Sequence, residues 1–237
     1  MWYMGRAKIS GDALSDCRRV EKRSMTFLWI AAYGLIYTLA ACLSRDGSPW
    51  IVPLAMCGYS AALILWVFRA GQARRLGLCA PRYPLRFLPL LMLPVCNCLT
   101  AKAFSLSLPT FLLMLAVCAA EELFFRGFLL RLLMRYGAIP AVLLSSIVFA
   151  LFHLVNLTAG SVLYTWAQVL CALTAGICFA AAAVLSGSLL PGFAAHFLSN
   201  ITAAPSEPAP LLWLCIVLYG CYGAVLCKQL SIKERQV

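Results

Sequence analysis

Two adjacent glutamates, Glu121 and Glu122, stand inside an apolar run, and Arg126 follows one helical turn later. The stretch reads Ala119-Ala120-Glu121-Glu122-Leu123-Phe124-Phe125-Arg126-Gly127. Ionisable groups in hydrocarbon cost about 2.5–3.5 kcal/mol each even on the lenient insertion scale, so a chain that keeps three together has a use for them. The two histidines, His153 and His196, also lie in apolar runs. The available chemistry is proton transfer, concentrated where the chain is otherwise apolar.

On a helix, residues four apart share a face, while neighbours point about 100° apart. Glu122 and Arg126 can therefore pair along one side and leave Glu121 free. Phe149 precedes His153 by four, which sets an aromatic ring beneath the imidazole. His196 precedes Asn200 by four, which puts imidazole and amide on one stripe. A carboxylate beside an imidazole can take a proton from water and deliver it to a leaving amine. A second imidazole and an amide can donate hydrogen bonds to a developing oxyanion. That set suits hydrolysis of a peptide bond. The carboxylate and two imidazoles of Glu121, His153 and His196 equally resemble the three-ligand set of a catalytic zinc site.

The elements that must position these groups are membrane helices. The chain has 237 residues, 63% hydrophobic and 11% charged, where a soluble domain is about 45–50% apolar and about 25% charged. This composition predicts an all-α, polytopic transmembrane bundle. Eight apolar runs serve as spans: Met25–Cys42, Trp50–Phe68, Leu85–Leu99, Leu108–Met134, Ile139–Val155, Val162–Leu185, Ser188–Ala203 and Leu211–Cys227. The third and seventh are short for a full crossing. Basic residues alternate between loops. Arg18, Arg19, Lys22 and Arg23 precede the first run, Arg69 to Arg86 follow the second, Arg131 and Arg135 end the fourth, and Lys228, Lys233 and Arg235 lie in the tail. The opposite loops hold Arg45 with Asp46, Lys102 and Glu207. By the positive-inside rule both termini are cytoplasmic, in keeping with eight spans.

The organisation that follows is a basic N-terminal segment (1–24), accessory helices (25–107), a catalytic core (108–203), and a last helix with a basic tail (204–237). The net charge of +11 is distributed between apolar runs, which marks topology and anionic-lipid contact rather than nucleic-acid binding. The twelve cysteines are scattered without a paired metal spacing and act as small apolar residues. Leu39-Ala40-Ala41-Cys42 looks like a lipoprotein processing box, but the long charged region before it and the seven runs after it argue against cleavage.

Depth supports a common site. At about 1.5 Å per residue, Glu121 lies about 15 Å from Arg131, His196 about 12 Å beyond Ser188, and His153 about 21 Å beyond Ile139. All three fall in the middle zone of a hydrocarbon core of about 30 Å.

At these residues the sequence resembles the CAAX protease and bacteriocin-processing (CPBP, or Abi) family of intramembrane proteases, which includes the type II prenyl-protein endopeptidases. The family pattern is Glu-Glu-x-x-x-Arg, then Phe-x-x-x-His, then His-x-x-x-Asn, and this chain matches all three in order between about Leu108 and Asn200. Each motif alone is weak, and the ordered trio is specific. The resemblance implies that Glu121 and His153 activate water, and that His196 and Asn200 stabilise the oxyanion. Glu122, Arg126 and Phe149 would then shape the site or contact substrate. It implies a peptide or protein substrate, prenylated or leader-bearing, met within the lipid bilayer, and an integral protein of the bacterial cytoplasmic membrane. Members of the family are described both as glutamate-type and as metal-dependent, so zinc on Glu121, His153 and His196 stays open as a cofactor.

Other designs fit less well. The chain has no His-Glu-x-x-His, its aspartates (Asp12, Asp16 and Asp46) lie outside the apolar runs, and Gly187-Ser188 lacks a second flanking glycine. A proton-coupled transporter would also keep intramembrane Glu and His, but the inverted repeats expected of one are not visible. A non-catalytic scaffold or immunity protein with the same fold is the other alternative.

Overall fold

Among the described residues the long apolar runs fold as helix, because a backbone in hydrocarbon must satisfy its own N–H and C=O groups. The structure, a computed structural model, describes residues 48–100, 106–158, 162–202 and 210–236, with Ala32, Tyr33, Leu35, Ile36, Leu39, Ala40 and Leu43 of the first run. The basic segment 1–24, most of the Met25–Cys42 span with its Cys42 end, and loop residues Arg45, Asp46, Lys102 and Glu207 lie outside the described residues.

The helices are α1 (Ile51–Arg69), α2 (Met92–Thr100), α3 (Leu108–Glu122), α4 (Leu130–Leu133), α5 (Ala138–Phe152), α6 (Val162–Ser186), α7 (Leu190–Thr202) and α8 (Pro210–Arg235). No strand occurs among the described residues. Among the described residues four helical stretches are long and apolar enough to cross a membrane: Ile51–Arg69, Leu108–Tyr136, Val162–Ser186 and Leu211–Arg235. The third expected span is a 3-10 helix (Pro84–Leu91) running into α2, with Pro89 inside the 3-10 part. α5 has 15 residues and α7 has 13, so they rise only about 22 and 20 Å. The fifth expected span is therefore short as well, which its sequence did not suggest.

α6 is the hub. It packs on α5, α7 and α8, and 67% of its central window is buried, against 22–33% for the other three candidate spans. Ala180, Ala181, Ala182 and Ala183 are buried, and side chains this small let neighbouring helices approach closely. The outer surface has the opposite character. Leu54, Leu65, Leu144, Ile147, Leu151, Trp166, Trp213 and Val217 are exposed, an apolar cover that water would not tolerate and lipid requires. Polar groups are turned inward: Glu122, Arg126, Ser145, Ser146, Thr165, His196 and Ser199 are all buried.

α3 does not end at Glu122 but widens into a π-helical turn, Leu123–Leu129, before α4. Phe125, Arg126, Gly127 and Phe128 are all buried in succession within this turn. Gly127 sits where a Cβ would meet Leu123 Cδ1 at 3.1 Å, so the turn is tightly held.

Candidate active site

α3 and α7 bring the acids and one imidazole together. Glu122 Oε1 lies 3.0 Å from Arg126 Nη1, the i,i+4 pair that the spacing predicts. The same oxygen lies 3.0 Å from His196 Nδ1. His196 Nε2 in turn faces Glu121 Oε2 at 3.7 Å. One imidazole thus spans two adjacent carboxylates, one on each ring nitrogen. The two glutamates differ in access: the Glu121 side chain is 23% exposed and that of Glu122 only 2%. The spacing argument that frees Glu121 while Glu122 pairs is matched by this division.

The guanidinium of Arg126 is compensated by aromatic rings as well as by Glu122. Its Cζ lies 4.0 Å from the Phe149 ring centroid, 5.5 Å from Phe179 and 5.9 Å from Phe125. Ring faces are the means of holding a desolvated cation where hydrogen-bond acceptors are few. Phe179 also stacks on His196, with centroids 6.1 Å apart. Sequence spacing gave Phe149 only a packing role beneath His153. The structure gives it four partners: Arg126, Phe125 at 5.1 Å, His153 at 4.9 Å and His196 at 5.6 Å, the three rings edge-on.

His153 caps the end of α5. Its Nδ1 meets the Phe149 carbonyl oxygen at 3.1 Å. A carbonyl accepts only, so Nδ1 carries the proton and the Nε2 lone pair is left available. Among the described residues His153 has no hydrogen bond to Glu121; Phe149 connects it to the charged cluster. Asn200 Nδ2 donates to Cys118 Sγ at 3.3 Å, one turn before Glu122 on α3. Sulfur is a weak acceptor, and the second amide N–H remains for other use.

Three contributors escaped the sequence reading. Tyr33 Oη donates to Glu121 Oε1 at 3.3 Å across a separation of 88 residues, a distance no local spacing reveals. Phe179 lies in an alanine-rich run with nothing to mark it. Gly192 had a usable signal, since it precedes His196 by four and shares its face. A Cβ at Gly192 would meet Glu122 Oε2 at 3.2 Å and Phe179 Cβ at 3.1 Å. Among the other polar residues, Asn156 Nδ2 donates to Gln168 Oε1 at 2.7 Å.

A catalytic zinc needs three protein donors at about 2.0–2.2 Å. His196 Nε2 and Glu121 Oε2 are spaced for two of them, and the Nδ1 bonds of both histidines, to Glu122 and to the Phe149 carbonyl, are of the kind that orients a ligating imidazole. Among the described residues no three His, Cys, Asp or Glu side chains gather closely enough to hold a metal ion. Glu121, His153 and His196 are thus not drawn together into one ligand set in this structure.

Residues 103–202 match the family model of the type II CAAX prenyl endopeptidase Rce1-like proteins. No curated protein and no solved structure matches the chain. The matched stretch runs from the approach to α3 through α7, and it holds both glutamates, Arg126, both histidines and Asn200. Over this segment, somewhat less than half of the chain, the protein is similar to the type II CAAX prenyl endopeptidases.

Proposed function

We propose that the protein is an intramembrane endopeptidase that hydrolyses a peptide bond of a membrane-associated, lipidated or leader-bearing substrate. The observation that carries this reading is the His196 imidazole held between Glu122 and the more accessible Glu121, within the segment that matches the family.

In this mechanism the Glu121 carboxylate takes a proton from water, and the water oxygen attacks the scissile carbonyl carbon. The Nε2 lone pair of His153 accepts the second hydrogen bond of that water. Glu121 then delivers its proton to the leaving amine nitrogen as the C–N bond breaks. The oxygen of the tetrahedral intermediate is met by His196 Nε2–H and by the Asn200 amide. For His196 to donate there while Nδ1 donates to Glu122, it must be the imidazolium. Two carboxylates, Arg126 and a charged His196 make a neutral cluster, which suits a dry site. Glu122 and Arg126 orient His196 and do not themselves touch the reacting atoms.

The test is a comparison of membranes from cells carrying the wild type and Glu121→Gln, which keeps the shape and removes the base. The expected result is one precursor that accumulates uncut in the variant while the variant itself stays folded. Indistinguishable terminal peptides in the two strains would overturn the reading.

A further inference from the structure

α1 is fastened to α3 just ahead of the glutamates. Ser60 Oγ donates to the Ala116 carbonyl at 2.7 Å, and Cys57 Sγ donates to the Leu112 carbonyl at 3.5 Å. Tyr59, on the same helix, is buried and meets the Tyr33 ring edge-on, with centroids 5.6 Å apart. Tyr33 is thereby seated, and its hydroxyl donates to Glu121 Oε1 at 3.3 Å. Both tyrosines lie outside the family-matched stretch 103–202.

We propose that Tyr33 is a positioning residue for Glu121, supplied to the active site by the accessory helices. A glutamate side chain has several rotamers of similar energy, and Glu121 is the more exposed of the two acids. A donor on Oε1 selects one of these rotamers and turns Oε2 towards His196 Nε2, at 3.7 Å. One oxygen is thereby anchored and the other is presented to water. A near-attack geometry of this kind is lost when the base can swing by an ångström. The inference rests on the reading of Glu121 as the base. It adds that the matched segment alone is an incomplete site, because the hydroxyl that fixes the base comes from another part of the chain.

The experiment uses the full chain in proteoliposomes with the precursor found by the Glu121→Gln comparison. Tyr33→Phe keeps the ring against Tyr59 and removes only the hydroxyl. The expected result is a fall in kcat of roughly tenfold, the worth of one charge-assisted hydrogen bond, with KM and the thermal midpoint unchanged. A wild-type kcat in Tyr33→Phe, with Glu121→Gln inactive, overturns the positioning role and leaves the protease reading standing. A Glu121→Gln variant that still cleaves overturns the protease reading at that residue and the inference with it. If Tyr33→Phe does not fold, 3-fluorotyrosine at position 33 keeps ring and hydroxyl while changing the acidity of the donor. It must then alter kcat without altering KM, and an unaltered kcat overturns the proposal.

Discussion

The Nδ1 atom of His196 lies 3.0 Å from Glu122 Oε1, the oxygen that also meets Arg126 Nη1 at 3.0 Å. A carboxylate oxygen that is hydrogen-bonded to the imidazole and ion-paired with the guanidinium fixes the ring of His196 and leaves its Nε2 edge towards Glu121. Glu122 is therefore more than half of a helical ion pair. It couples the position of α3 to that of α7, and the loss of either cation changes what the other experiences.

Arg126→Ala is expected to lower folded yield as well as cleavage. Removing one partner of a buried pair costs about 3–5 kcal/mol, because the remaining charge is left uncompensated. Adding Glu122→Gln removes that charge and keeps an acceptor for His196 Nδ1, so the double variant should regain thermal stability and only part of the activity. Arg126→Ala with wild-type expression and midpoint would show that the pair does not hold the fold.

Gly192→Ala tests how closely α7 must approach the acids. The added methyl would stand 3.2 Å from Glu122 Oε2 and 3.1 Å from Phe179 Cβ, in a place where neither the helix backbone nor the ring can retreat far. Overpacking of this kind costs about 1–3 kcal/mol, and here the displaced group is the carboxylate that holds His196. Cleavage should fall more than stability does. A variant with the wild-type rate would mean that the carboxylate can move aside without consequence.

These expectations show where the sequence was sufficient. Helix class followed from hydropathy, and the Glu122–Arg126 pair followed from spacing, because both are local properties of the chain. The approach of His196 to the glutamates was legible only as a coincidence of depth and motif order. What spacing could not supply was the partner list. Tyr33, Phe179 and Phe149 reach Arg126, Glu121 or the imidazoles across helix interfaces, and only the packing of α1, α5 and α6 decides who meets whom. The π-helical turn was hidden for the same reason. It changes the face on which Phe125 to Phe128 lie, and α-helical periodicity assumes that face in advance.

The orientation of the chain is a separate proposal that rests on the distribution of arginine and lysine. Arg69 to Arg86 and the tail from Lys228 to Arg235 are expected on the cytoplasmic side with the basic N-terminal segment. Reporter fusions within Arg74–Arg82 and after Val237 should behave as cytosolic. A signal from the opposite side at either position would overturn the arrangement of eight spans with both termini inside.

Metal dependence can be tested on the purified full-length protein. His196 Nδ1 is taken by Glu122 and His153 Nδ1 by the Phe149 carbonyl, and no third donor joins His196 Nε2 and Glu121 Oε2 among the described residues. A zinc mechanism would keep these hydrogen bonds, the usual partners of a ligating imidazole, but would have to bring His153 Nε2 closer to His196 Nε2 and Glu121 Oε2 to complete its ligand set. A glutamate–histidine mechanism needs no such approach, because a water can bridge the gap. Protein stripped with a strong chelator until elemental analysis finds far less than one transition-metal ion per chain is therefore expected to cleave at the untreated rate. Glu121→Gln should be inactive with or without added zinc. Loss of cleavage on stripping, with recovery as one zinc ion per chain is restored, would overturn this expectation. It would assign Glu121 and His196 to a metal instead of to a water and an oxyanion.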